Sequence, residues 1–186
     1  MKSRWRSLRR AGAAMMVSLL LTTAALNSGA TASAAGPVRA SWGSTTFDLS
    51  RGWGSATSCV VFSRRVVRCY ATYEQADAAL GYSAAADPLT ADGAAVAAVP
   101  SCASGWLCLY ADPGGQGRRL QFRDEFWNYL SDYAFAGQAS SWRNNQSSGD
   151  NGYLSLYNSS STYLCAAGSY ANTMGSADNQ AYAVWG

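Results

Sequence analysis

The 186-residue chain contains no histidine. That absence removes Ser-His-Asp and Cys-His nucleophilic catalysis, and with them the main ligand of most protein zinc sites. Lysine is almost as scarce, because Lys2 is the sole one and every other positive charge is arginine. Carboxylates in close sequence are also rare: Asp124-Glu125 is the one adjacent acidic pair, which reads as a solvated turn and not as a catalytic pair held across a substrate. An enzyme is therefore the reading the residues favour least.

The positive charge that is present lies mostly at the start. Lys2, Arg4, Arg6, Arg9 and Arg10 precede an apolar run from Ala11 to about Leu26, and Ala32-Ser33-Ala34 follows. A basic start, a short apolar core and a small-residue cleavage site describe a secretory signal peptide over residues 1–34, and the run is too short for a membrane span. This segment holds five of the fourteen basic residues and none of the eleven acidic ones, which leaves nine against eleven, a formal net charge of −2. The chain's apparent +3 thus belongs to targeting and supports neither a nucleic-acid nor an anionic-membrane partner. The expectation is a secreted, extracellular, monomeric protein with no membrane contact after cleavage.

Export makes disulfides the default fate of the five cysteines. With Phe62 facing Val66 across a three-residue loop, the register places Cys59 opposite Cys69, where a cross-strand bridge is reasonable. Thr72-Tyr73-Glu74-Gln75 then forms a capping box for a two-turn helix that Gly81 stops. Residues 35–82 thus read as a small stapled hairpin-and-helix module, either leaning on the C-terminal domain or serving as a pro-segment or spacer. Residues 83–100, rich in alanine with proline near both ends, read as a linker. Cys102 and Cys108 open a domain over residues 101–186; a bridge between them closes a loop around Ser104-Gly105-Trp106, and Trp106, Cys108 and Tyr110 share one face. Cys-x5-Cys without further ligands is a poor metal signal. Cys165 is left over, as a buried free thiol or as a partner that reshuffles the bridges.

The domain repeats itself in outline. Leu109-Tyr110 returns as Leu156-Tyr157, Leu120-Gln121-Phe122 as Leu164-Cys165-Ala166, and the run from Gln138 to Trp142 as Gln180 to Val184. Strand, turn, strand, long connection and closing strand occur twice in the same order, the pattern of two Greek keys in a β-sandwich. Tyr110-Ala-Asp-Pro-Gly-Gly-Gln-Gly117 with Ser140-Ser141 downstream is similar to the signature of the βγ-crystallin superfamily. With Cys102-x5-Cys108-Leu-Tyr in front and Asn128-Tyr-Leu-Ser-Asp-Tyr between, residues 101–186 resemble more narrowly the secreted actinomycete peptidase inhibitors typified by Streptomyces metalloproteinase inhibitor.

The resemblance implies a mainly β protein, a two-Greek-key βγ-crystallin-like sandwich behind the hairpin-helix module. In it Gly117 permits a folded-over hairpin, Tyr110 packs against that fold and a serine hydrogen-bonds to it. It implies an extracellular peptidase as partner, a metallopeptidase first, blocked by a rigid substrate-like loop. The second unit departs from the pattern: Leu164 stands where a glycine is expected, Tyr182-Ala183 replace the serines, and Cys165 lacks the second cysteine of the family's reactive loop. No inhibitory residue carries over, and Ser63-Arg64-Arg65 is a conceivable insertion tip or a solvated turn. A calcium-binding module is a second reading, with the degraded pattern split between Ser140 and Asp178-Asn179; no other cofactor is implied. An antimicrobial or killer-toxin-like protein is a third. Trp106, Trp127, Trp142 and Trp185 could line a sugar-binding face or fill the core.

Overall fold

The computed structural model describes residues 37–91 and 99–186. Residues 1–34, read from the sequence as a signal peptide, lie outside the described residues, as do 92–98 of the segment read as a linker. Twelve strands are built from the rest, in two sheets.

The N-terminal part supplies β1 (Arg39–Trp42) and β2 (Thr45–Asp48), joined through Gly43 in left-handed backbone, then β3 (Ser58–Ser63) and β4 (Val66–Tyr70). Cys59 stands opposite Cys69 and the two are bridged. The turn is tighter than the sequence suggests. Ser63 pairs with Val66, so Arg64-Arg65 alone make the loop and Phe62 sits in a bulge instead of facing Val66. Bulging lets Phe62 turn its ring edge-to-face onto Trp106, centroids 5.4 Å apart. Helix α1 (Tyr73–Leu80) follows, with Thr72 Oγ accepting from the Gln75 amide, Gln75 Oε1 reaching back to the Ala71 amide, and Gly81 closing the helix in left-handed backbone.

The C-terminal part forms two four-strand units. The first comprises β5 (Leu107–Asp112), β6 (Gln116–Phe122), β7 (Trp127–Tyr129) and β8 (Ser141–Asn144); the second β9 (Gly152–Leu156), β10 (Tyr163–Cys165), β11 (Ser169–Ala171) and β12 (Ala181–Trp185). Each unit sends its third strand to the other's sheet: β7 pairs with β12, and β11 with β8. The four-stranded sheet runs β10-β9-β12-β7. The other runs β11-β8-β5-β6-β3-β4-β1-β2, because β3 lies parallel to β6 and carries the N-terminal strands with it.

Burial explains the strand sequences. Leu107, Leu109, Leu120, Phe122, Trp142, Leu154 and Val184 fill the space between the sheets, whereas Val60, Cys108 and Tyr110 point to the far face of the long sheet, under Ala76 of α1 and beside Trp106. Strands β3 and β5, covered on both faces, therefore show no polar alternation. Among the described residues no helix is long and apolar enough to cross a membrane.

The cover over this far face is tied down by buried arginines. Arg119 on β6 is fully buried, donates to Ser58 Oγ (3.1 Å), Ser101 O (2.9 Å) and Tyr73 O (3.2 Å), and lies 2.7 Å from Asp77 of α1. Its guanidinium also sits over the Tyr73 ring, 4.3 Å from the centroid. Arg143 on β8, equally buried, bonds Asp87 and the Pro100 carbonyl, the latter at 3.0 Å. In urea denaturation Arg119→Ala is expected to cost about 3 kcal/mol, since it strands the half-buried Asp77 carboxylate, while the double change Arg119→Met with Asp77→Asn is expected to cost markedly less than the single one.

Candidate inhibitory surface

The hairpin between β5 and β6 folds over on itself around Gly117, whose φ is +74°, and a Cβ there would come within 2.5 Å of the Asp112 carboxylate. Ser141 Oγ holds the fold from both sides, donating to Asp112 O (2.7 Å) and accepting from the Gly115 amide (2.9 Å). Tyr110 is fully buried on β5; its hydroxyl donates to Ser101 O, and burial raises its phenol well above the usual range. The aromatic that hydrogen-bonds to the folded hairpin is Tyr73, a residue outside the sequence signature, whose hydroxyl donates to Gly117 O at 2.7 Å. Ser140 serves a different junction, donating to Asn179 Oδ1 at 3.4 Å where the connections before β8 and β12 cross.

Ser140, Asn179 and Asp178 are thus brought together, but they do not fit calcium. Asn179 takes the Ser140 proton on its side-chain oxygen and gives its own amide to Asp178 Oδ2 at 3.4 Å. One carboxylate remains, far short of six to eight oxygens. Among the described residues no three His, Cys, Asp or Glu side chains gather closely enough to hold a metal.

Three exposed loops are candidates for contact with a partner. The Cys102–Cys108 bridge closes a loop pinned by Gly105 N to Asn145 O (2.7 Å) and by Asn145 Nδ2 to Cys102 O (2.8 Å), with Trp106 buried beneath. At the Arg64-Arg65 tip, Arg64 is turned back onto Asp132 at 3.1 Å, which leaves Arg65 and Val66 outward. Residues 157–162, between β9 and β10, form the longest run of consecutive exposed residues described. This run is braced: the Tyr157 amide bonds Gln180 O (2.8 Å), Asn158 Nδ2 bonds Ser176 O (2.9 Å), and the Tyr157 ring lies against Tyr182 with centroids 5.1 Å apart. It leads directly into β10, an edge strand, where Leu164 is 50% exposed. Next to it Cys165 is buried and unbridged, and burial pushes its thiol well above the ordinary value, so it is inert.

The acidic pair divides. Glu125 is exposed, but Asp124 is partly buried with Oδ2 enclosed and without a hydrogen-bond partner, so the segment is not the solvated turn its composition suggests. The backbone explains this, because Asp124 O accepts from the amides of Phe126 (2.9 Å) and Gly186 (3.3 Å) and draws the residue inward. The tryptophans divide too: Trp106 and Trp142 are buried, whereas Trp127 and Trp185 lie on the outer side of the small sheet.

These elements assemble a rigid β scaffold that holds braced loops at its surface, the class of protein that works by binding. Residues 95–178 match the model of peptidase inhibitor family I36. This part of the chain is thus similar to the inhibitors of family I36, and the match supports a peptidase inhibitor over an enzyme. No curated protein and no solved structure matches the chain.

Burial raises the Asp124 carboxyl above its usual range, against the opposing charge of Arg123. With a folded-state value above the unfolded one, the unfolded chain holds fewer protons between the two, and stability falls as pH rises through that window. Thermal melts are therefore expected to show Asp124→Asn stabilising the protein at pH 7 and leaving it unchanged at about pH 3, where both states are protonated.

Proposed function

We propose that the protein is a secreted, monomeric inhibitor of an extracellular metallopeptidase, built on two βγ-crystallin-like Greek-key units, and that residues 157–164 enter the target's cleft. The exchange of third strands between two similar four-strand units supports the Greek-key reading. One observation carries the choice of loop: the longest exposed run is braced at Tyr157 and Asn158 and continues into an edge strand. Peptidase clefts take their substrates extended, and the free edge of β10 offers backbone donors and acceptors in that form. Rigid loops lose little conformational freedom on binding, so more of the contact energy appears as affinity.

Leu164 supplies an apolar anchor for the cleft. That suits a peptidase with an apolar primary pocket, as in thermolysin-like metallopeptidases. The arginine tip would suit a trypsin-like enzyme, but Arg64 is committed to Asp132 and the tip is a tight two-residue turn, not an extended segment. Titration against one peptidase of each kind separates the readings. Inhibition of the metallopeptidase is expected, weakened at least tenfold by Leu164→Asp, roughly 1.4 kcal/mol or more, and unchanged by Arg65→Ala. The reverse pattern would move the site to the hairpin tip, and digestion of the protein by both enzymes without inhibition would remove the proposal.

A further inference from the structure

The outer face of the four-stranded sheet carries a row of rings. Register sets Tyr153 on β9 beside Trp185 on β12, and Trp185 beside Trp127 on β7. Trp127 is 38% exposed, and its ring meets that of Trp185 at 69° with centroids 6.0 Å apart. At the β9 end the row opens into a cavity of ≈ 240 Å³ whose lining includes Tyr153, Trp185, Glu125, Gln146, Asp150 and Asn151. No arginine lines it.

We infer that this face binds an extended β-1,4-linked glycan chain, a function separate from peptidase inhibition. Pyranose rings have apolar C–H faces and an equator of hydroxyl groups, and their recognition calls for aromatic surface next to planar side chains that accept hydrogen bonds. Both are present here and adjoin. The rings supply the surface, and the carboxylates of Glu125 and Asp150 supply acceptors. Spacing favours a chain over a compact ligand. Neighbouring strands lie about 4.8 Å apart, so three rings on successive strands span about 10 Å, and their repeat is close to that of successive hexoses in an extended β-1,4 chain. A lone cationic side chain of a protein partner would also suit carboxylates beside aromatics, but it would fill the cavity alone and leave Trp127, which lies outside it, without a role. The angle between the tryptophan rings fits one twisted chain and not a flat crystalline surface.

Affinity electrophoresis through gels containing hydroxyethylcellulose tests this, together with tryptophan fluorescence titration with cellohexaose. Retardation and an emission shift are expected with the full protein. Trp127→Ala is expected to weaken binding at least tenfold and Glu125→Gln severalfold. The exposed position of Trp127 keeps that variant folded, checked by an unchanged near-UV spectrum, and its inhibition of peptidase is expected to equal that of the unaltered protein. The inference is overturned if no retardation occurs, if Trp127→Ala binds the glycan as the original does, or if an oligo-arginine peptide binds through Glu125 while the glycan does not. It is also overturned if Trp127→Ala lowers peptidase inhibition, which would assign the face to the peptidase.

Discussion

The guanidinium of Arg119 is shut off from solvent and meets five protein groups instead: Ser58, the Ser101 carbonyl and hydroxyl, the Tyr73 carbonyl and the Asp77 carboxylate. A buried cation is tolerated only when its charge and nearly all its donors are met, so each of these groups must stay where it is. They come from β3, from α1 and from the segment that precedes β5. One side chain therefore fixes how the N-terminal hairpin and helix lie on the β5-β6 hairpin. Arg143 repeats the device one strand beyond β5, holding Asp87 and Pro100, the two flanks of the linker region. Burial alone would raise the Asp87 carboxyl, but the bond and charge of Arg143, with donations from Tyr82 and the Leu89 amide, outweigh it and keep the group below the ordinary carboxylate range.

This arrangement leaves the two sheets with different outer surfaces. The long sheet has its outer face covered by α1 and the Cys102–Cys108 loop, whereas the short sheet turns Trp127, Tyr129 and Leu164 to solvent. Covering one face and baring the other concentrates the available binding surface on the short sheet, three of whose four strands come from the second unit. That unit is also the one whose sequence has drifted from the pattern of the first. Its hairpin lacks the glycine that folds the first one over, and the chain there runs out into the exposed 157–162 segment instead. The absence of that glycine and the presence of the exposed segment fall at the same hairpin.

The features legible in the chain by itself are local. The Thr72 cap, the Gly81 stop, the facing pair Cys59 and Cys69, and the period-two sharing of a face by Trp106, Cys108 and Tyr110 all depend on residues within about ten positions of one another. The internal echo is also legible, since Leu109 and Leu156 occupy equivalent strands β5 and β9. The features that stay hidden need partners far along the chain. Arg119 and Gln121 share a face of β6, a period-two polar pair that would ordinarily mean an exposed surface; Ser58, some sixty residues earlier, turns that face inward. The parallel pairing of β3 with β6 leaves no local sign at all, and neither does the inward draw on Asp124 from the Gly186 amide. The bulge at Phe62 escapes a local reading for a related reason, because its cause is the Trp106 ring and not the turn.

The exchange of β7 and β11 between sheets bears on how long the protein lasts beside an enzyme that cuts proteins. Neither four-strand unit can open while the other remains closed, since each sheet contains a strand that belongs to its neighbour. The exchange therefore couples the opening of the two units, and where such coupling slows unfolding, the rate can be very small even at ordinary equilibrium stability. A peptidase cleaves chains that have opened, so in the regime where cutting outruns reclosing the lifetime of the closed form decides whether a bound loop is hydrolysed or merely held. Interlocked topology is in this sense a clock, set long enough for occupancy to outlast digestion.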